Sequence, residues 1–179
     1  VGADNFDPFY DRSLKQDTLA DLSACGVECH DLDVRDLPSF CALIEKTCPI
    51  GIMHMAARPG ISSSIDDPAG SIGMNLDALR SILEAVRITG VDSLCIASSS
   101  SVYGRGTSRM QSEDDAPACP LCPYAAAKRG GEELCRAWAA SFGLRIAILR
   151  YFTVYGPRQR PDMAIGRFMR MIDAGQEIT

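Results

Sequence analysis

Short apolar runs alternate with longer stretches whose apolar residues recur every three or four positions, and the alternation continues along almost the whole chain. Residues 27–34 read as a strand. Asp36-Leu37-Pro38-Ser39 then opens a helix to about residue 46, with Pro38 in the first turn, where its missing N–H costs little. Residues 50–57 form a nearly unbroken apolar run, which predicts a strand covered on both faces. From about 69 to 89, Ile72, Leu76, Leu79, Ile82, Leu83 and Val86 share one helical face, and Gly90 stops the helix. A strand follows at 93–98, then a polar loop rich in Gly, Ser and Pro from 104 to about 123. A helix from about 124 to 142 ends at Gly143, a natural C-terminal cap. Residues 144–149 predict another strand and 163–174 another helix.

Strands separated by helices predict an α/β fold with a doubly wound parallel sheet. Residues 1–6 resemble the tail of a strand and 176–179 the start of one. Neither end carries a cap or a disordered tail, so a sheet incomplete at both ends, a piece of a longer protein, is expected.

The 179 residues are 46% hydrophobic and 23% charged, enough for one domain with a sizeable core. A net charge of −5 gathers neither nucleic acid nor anionic lipid. No apolar run is long enough to span a bilayer, and the first residues lack the features of a signal peptide. A soluble, cytoplasmic protein with no nucleic-acid or membrane partner is expected. The eight cysteines are scattered, and without a secretory signal they read as reduced thiols. Cys119 and Cys122 form the lone CxxC, far from His30 and His54, so they read as loop thiols and no metal site is expected.

The sharpest chemical pattern is Tyr124-Ala125-Ala126-Ala127-Lys128 at a helix start. Four residues along a helix place two side chains on one face. An ammonium beside a phenol favours the phenolate, which makes a base able to take a proton from a sugar hydroxyl. Upstream, Ser98-Ser99-Ser100-Ser101 lies at the carboxyl end of a strand, the edge where open α/β sheets bind ligands. Serines there also serve as ordinary turn formers.

Together with Asp4-Asn5-Phe6, Leu32-Asp33-Val34-Arg35-Asp36, His54-Met55-Ala56-Ala57, Met74-Asn75-Leu76, the run from Leu149 to Arg158 and the run from Arg160 to Ala164, these motifs resemble the extended short-chain dehydrogenase/reductases of the nucleotide-sugar epimerase branch. Within that branch the chain looks most like the UDP-glucuronate 4-epimerases. The resemblance implies a Rossmann-like NAD-binding domain, entered at the end of its second strand and spanning 1–179, with a C-terminal substrate domain mostly absent. It also implies a homodimer formed through two long helices.

It implies Tyr124 as general base, Lys128 as its partner and a holder of the nicotinamide ribose, and Ser99 as the hydroxyl on the reacting sugar oxygen. Asp4 and Asn5 would hold the adenosine ribose, which favours NAD over NADP because a carboxylate repels a 2′-phosphate. Asp33 and Val34 would flank the adenine. Met55, Ala56 and Ala57 would line the pyrophosphate and ribose, with Asn75, Ala97 and Tyr151 completing the cofactor contacts. Taken by themselves, Asp4 and Asp33 read equally well as turn residues, the 55–57 run as core, and Asn75 as a half-exposed helix asparagine.

The implied reaction is inversion at C4 of a UDP-sugar, UDP-glucuronate to UDP-galacturonate, through a 4-keto sugar with no net redox. Ser100 and Ser101 stand where 4,6-dehydratases of the branch carry an Asp-Glu pair, which argues against a dehydratase. Thr153 stands where hexose epimerases carry Asn. Ser100, Ser101, Thr153 and Arg160 would hold a uronate carboxylate, although Arg160 also reads as a solvated loop charge. UDP-glucose or another nucleotide sugar remains an alternative substrate.

The match has gaps. No GxxGxxG occurs; the resemblance puts it about 20 residues before Asp4. Without it this stretch alone is expected to be inactive, and a non-catalytic Rossmann-like remnant is the competing reading. Retention of Ser99, Tyr124 and Lys128 argues against that. Ser62 replaces the usual Arg after the third strand. Gly130 and Gly131 sit inside the catalytic helix, at about 1 kcal/mol each relative to Ala, either for close packing or without purpose.

Overall fold

A computed structural model describes residues 1–105, 110–115 and 119–178. In chain order they form β1 (Gly2–Asp4), α1 (Arg12–Ala24), β2 (Cys29–Asp31), α2 (Leu37–Thr47), β3 (Ile52–His54), α3 (Ile61–Asp66) and α4 (Pro68–Ile72). A π turn (Gly73–Asp77) leads into α5 (Ala78–Thr89), followed by β4 (Ser93–Ser99), a 3-10 turn (Ser100–Tyr103), α6 (Pro123–Phe142), β5 (Arg145–Tyr151) and α7 (Ala164–Asp173). Every strand pairing is parallel, as the alternation of strands and helices requires.

The strands make two sheets, β1-β2 and β3-β4-β5. Contacts likewise divide the chain into two units, 1–31 with 153–179, and 32–152. In the larger unit Leu94 lies between Ile52 and Ile146 in the ladder. α2 and α5 supply Phe40, Ile44, Leu79, Ile82, Leu83 and Val86 to a core closed by Leu94, Ile96 and Cys135. Full burial of such side chains contributes roughly 1.5–3 kcal/mol each. Gly90 and Gly143 end α5 and α6 at φ of 76° and 68°, a left-handed conformation that glycine adopts without cost.

In the smaller unit α1 starts at Asp11, whose carboxylate accepts from the Ser13 N–H at 2.9 Å. The hydrophobic pattern did not predict this helix. Its leucines, at 14, 19 and 22, make no continuous stripe, and none of its residues is buried. The guanidinium of Arg158 pairs with the carboxylate of Asp21 within the same unit.

Several expectations are corrected. The strand at 50–57 shortens to Ile52–His54 and is covered on one side only: His54 is buried while Met53 is 63% exposed. Ile72 is exposed rather than on the buried face of the long helix, because the π turn inserts an extra residue per turn and rotates what precedes it. No strand forms at 176–178 among the described residues. α3 and the 3-10 turn, both too short to show a period, were not predicted. Within the polar loop, 106–109 and 116–118 lie outside the described residues, as does Thr179 of the expected last strand.

Candidate active site

β4 alternates strictly, with Leu94, Ile96 and Ser98 buried and the intervening residues half-buried. Its last residue, Ser99, caps the 3-10 turn: Ser99 Oγ accepts from the Ser101 N–H at 3.2 Å and lies 3.0 Å from Ser101 Oγ. Three hydroxyls, Ser99, Ser100 and Ser101, are thereby gathered in one turn at the strand's carboxyl end.

α6 lies beside this end and carries Tyr124 in its first turn, one residue after Pro123. Cys122 caps the helix, its Sγ accepting from the Ala125 N–H at 3.4 Å. Lys128, one turn on, donates from Nζ to the carbonyl oxygen of Ala97 at 2.9 Å. The same nitrogen sits 5.8 Å from the centroid of the Tyr124 ring. Burial pushes the Lys128 pKa down to about 8. An ammonium has three donors, so one bond to Ala97 leaves the group able to serve a ligand as well.

The neighbouring strand ends in His54, opposite Ile96 in the ladder. Burial, then the charge on Lys128, holds its pKa down at about 4, so the imidazole is neutral at pH 7. Met55 and Ala56, which follow, are exposed, and Ala57 is half-buried, so Met55 and Ala56 are not core. Asn75 sits in the π turn, buried, its amide donating to the carbonyl oxygens of Ser71 at 2.7 Å and Arg58 at 3.0 Å. The half-exposed helix reading of Asn75 does not hold. Tyr151 ends β5 opposite Ser99. Val34 packs against the core, and both carboxylate oxygens of Asp33 accept from the Arg35 guanidinium.

In the other unit, Asp4 closes β1 and accepts from the Phe6 N–H at 2.6 Å and Lys15 Nζ at 3.2 Å. Asn5 accepts from the Asp7 N–H at 3.0 Å. Thr153 is exposed. Arg160 is engaged by Asp162, from Nε and Nη2 at 3.0 Å each, with its guanidinium 5.7 Å from the Phe9 ring centroid. Within residues 32–152 the structure thus brings Ala97, Ser99 and Ser101, Tyr124 and Lys128 to neighbouring strand and helix ends.

Sequence reasoning passed over one group. Glu132 is fully buried in α6, and its carboxylate accepts from Ser98 Oγ at 2.6 Å and from Arg150 Nε at 3.0 Å and Nη2 at 2.9 Å. Burial alone would raise its pKa, yet the bonds from Arg150 and Ser98 and the charges of Arg150 and Arg136 hold it below the usual carboxylate range. The same carboxylate raises the Arg150 pKa further. The clue was available: Glu132 follows Lys128 by four residues, which puts a carboxylate on the helix face that carries Tyr124 and Lys128. Gly131 also has a purpose, since a Cβ there would come within 2.8 Å of Leu79 Cδ2, whereas at Gly130 the nearest atom, Leu76 Cδ2, is an ordinary 3.7 Å away.

The profile of the NAD dependent epimerase/dehydratase family matches residues 8–179. UDP-glucuronate 4-epimerase 1 of Arabidopsis thaliana is 37% identical over 180 residues, all of this chain and 42% of the plant protein. UDP-glucuronate 4-epimerase of Thermodesulfobacterium geofontis is 36% identical over 96% of this chain and 53% of its own. Among solved structures, UDP-glucuronic acid 4-epimerase from Bacillus cereus, in complex with UDP-glucuronic acid and NAD, superposes with a TM-score of 0.86 at 33% identity. That match covers 99% of this chain and 55% of the other. The chain therefore spans about half the length of the relatives it matches, or less.

Proposed function

Because the chain belongs to the NAD dependent epimerase/dehydratase family, we propose that the whole protein inverts C4 of a UDP-sugar, converting UDP-glucuronate to UDP-galacturonate with NAD held throughout. The observation that carries this is the Lys128 amine, tied to the end of β4 and facing Tyr124 one turn before it, beside the Ser99 turn.

Tyr124 takes the proton from the C4 hydroxyl and returns it at the end of the cycle. Ser99 holds the sugar oxygen, and Lys128 favours the phenolate by its charge. The residues present fit NAD: Lys128 has donors to spare for a ribose, and exposed Met55 and Ala56 leave a strand end open to a ligand. Asp4 and Asn5 would hold the adenosine ribose, Asp33 and Val34 the adenine, and Ala57, Asn75, Ala97 and Tyr151 the rest. NAD, when bound, supplies the hydride acceptor and donor.

Ser100, Ser101, Thr153 and Arg160 are the proposed contacts of the uronate carboxylate. One observation favours a neutral hexose instead: Asp162 already occupies the Arg160 guanidinium. Turnover of UDP-glucuronate and UDP-glucose by the whole protein decides between them, and Thr153→Asn should move the preference toward UDP-glucose. Tyr124→Phe and Ser99→Ala should each lower kcat on the order of 10²–10⁴-fold. Wild-type protein that converts neither sugar would overturn the reading and favour a non-catalytic binding domain.

We extend the proposal to a Rossmann-like domain that continues beyond both ends of this stretch, to a homodimer, and to the cytoplasm. The eight free thiols support the cytoplasm. No described helix is long and apolar enough to cross a membrane. Sedimentation at the monomer mass would overturn the dimer.

A further inference from the structure

We propose that Glu132 is a positioning residue, a buried strut that sets where the Ser99 turn sits relative to Tyr124. This rests on the catalytic reading of those two residues.

The geometry places Glu132 at the junction of three elements. Ser98 and Arg150 face each other across the β4–β5 ladder, in the row that looks toward α6. Glu132 Oε1 takes both of them, at 2.6 and 3.0 Å, while Oε2 takes Arg150 Nη2 at 2.9 Å and Arg136 Nη2 at 3.2 Å. Four donors satisfy both oxygens, and the fork from Arg150 fixes the plane of the carboxylate.

α6 is thus fastened to β4 by two rungs one helical turn apart. The upper rung is Lys128 to the Ala97 carbonyl, and the lower is Glu132 to Ser98. Two rungs fix a rotation that one would leave free. The next residue in β4 is Ser99.

The far side of the serine turn is fastened to the same ion pair. Tyr103, which ends the turn, lies buried with its ring centroid 4.9 Å from the Arg150 guanidinium carbon. Arg150 Nη1 also donates to the Glu113 carbonyl at 3.2 Å. Ser99, Ser100 and Ser101 are therefore bracketed, with Ser98 before them and Tyr103 after, by one buried Glu–Arg pair.

Stability does not account for this arrangement. A buried ion pair adds little over a well-packed apolar replacement, because desolvation offsets the attraction. What the pair does provide is a single allowed geometry at the point where a displacement of about 1 Å costs on the order of 100-fold in rate.

Ser98→Ala tests the strut in the whole protein, because it removes the lower rung and leaves the Glu132–Arg150 pair intact. The readouts are kcat per NAD-loaded site, KM for UDP-glucuronate or whichever UDP-sugar the wild type converts, NAD affinity and the melting temperature. The expected result is kcat per loaded site lower by about 10-fold or more, with KM and NAD affinity within about 3-fold. Glu132→Asp, which keeps the charge but shortens the reach, should show the same split. If Ser98→Ala keeps wild-type kcat per loaded site, whether or not it melts earlier, the strut is overturned and the network is only structural. Wild-type protein without any turnover would instead overturn the catalytic reading, and the strut with it, so the two failures are told apart by the unsubstituted control.

Discussion

Ser98 and Arg150 stand opposite one another across the β4–β5 ladder, and both donate to one oxygen of Glu132. Removing the charge from that carboxylate strands a guanidinium whose side chain is only 8% exposed. Glu132→Gln should therefore destabilise the fold by about 3–5 kcal/mol in urea unfolding. Replacing both partners, Glu132→Leu with Arg150→Met, should recover most of the loss. A cost under about 1 kcal/mol for the single variant would show that the pair is not buried in solution.

The buried amine of Lys128 predicts an alkaline effect. Its folded pKa, about 8, lies below the ordinary 10.5, so between those values the unfolded chain binds more protons and stability rises with pH. Relative to Lys128→Met, the wild type should gain on the order of 3 kcal/mol as pH rises from 8 to 10.5. Unfolding free energies of the two proteins that run parallel over that window would contradict it.

His54 predicts the acid counterpart. With a folded pKa of about 4 against 6.5, its neutral form is favoured in the native state. The stability it contributes is complete above 6.5 and is lost as pH falls toward 4, on the order of 3 kcal/mol in all. His54→Gln should lose less than the wild type when urea melts at pH 7 and pH 4.5 are compared. Equal losses would mean that the acid sensitivity has another source.

Gly130 and Gly131 should part company when each is changed to alanine. At 130 the new Cβ meets only an ordinary contact, so the helix gains up to about 1 kcal/mol. At 131 it meets Leu79, itself 5% exposed and unable to withdraw freely, so overpacking of about 1–3 kcal/mol outweighs that gain. Thermal melts moving in the same direction for both variants would refute the contrast.

The legible parts of the molecule were those with a long period or a chemical pairing. α5 could be read from its apolar face, α5 and α6 both from their terminal glycines, and Tyr124 with Lys128 from their four-residue spacing. α1 escaped because a polar helix with scattered leucines has no face to announce it. The π turn escaped because it changes register by one residue, which a 3.6-residue pattern absorbs until Ile72 is found exposed. Glu132 escaped because its partners, Ser98 and Arg150, lie 34 and 18 residues away. Only the ladder brings those two together.

β3 pairs with β4 and, among the described residues, with nothing on its other side. A bare strand edge carries a row of amide donors and acceptors, and Met53 lies exposed on the same short strand. Prepared by itself, this stretch of chain should behave as a sticky colloid whose scattering grows with concentration. Lysine substitution at Met53 is the simplest way to keep such a preparation dispersed.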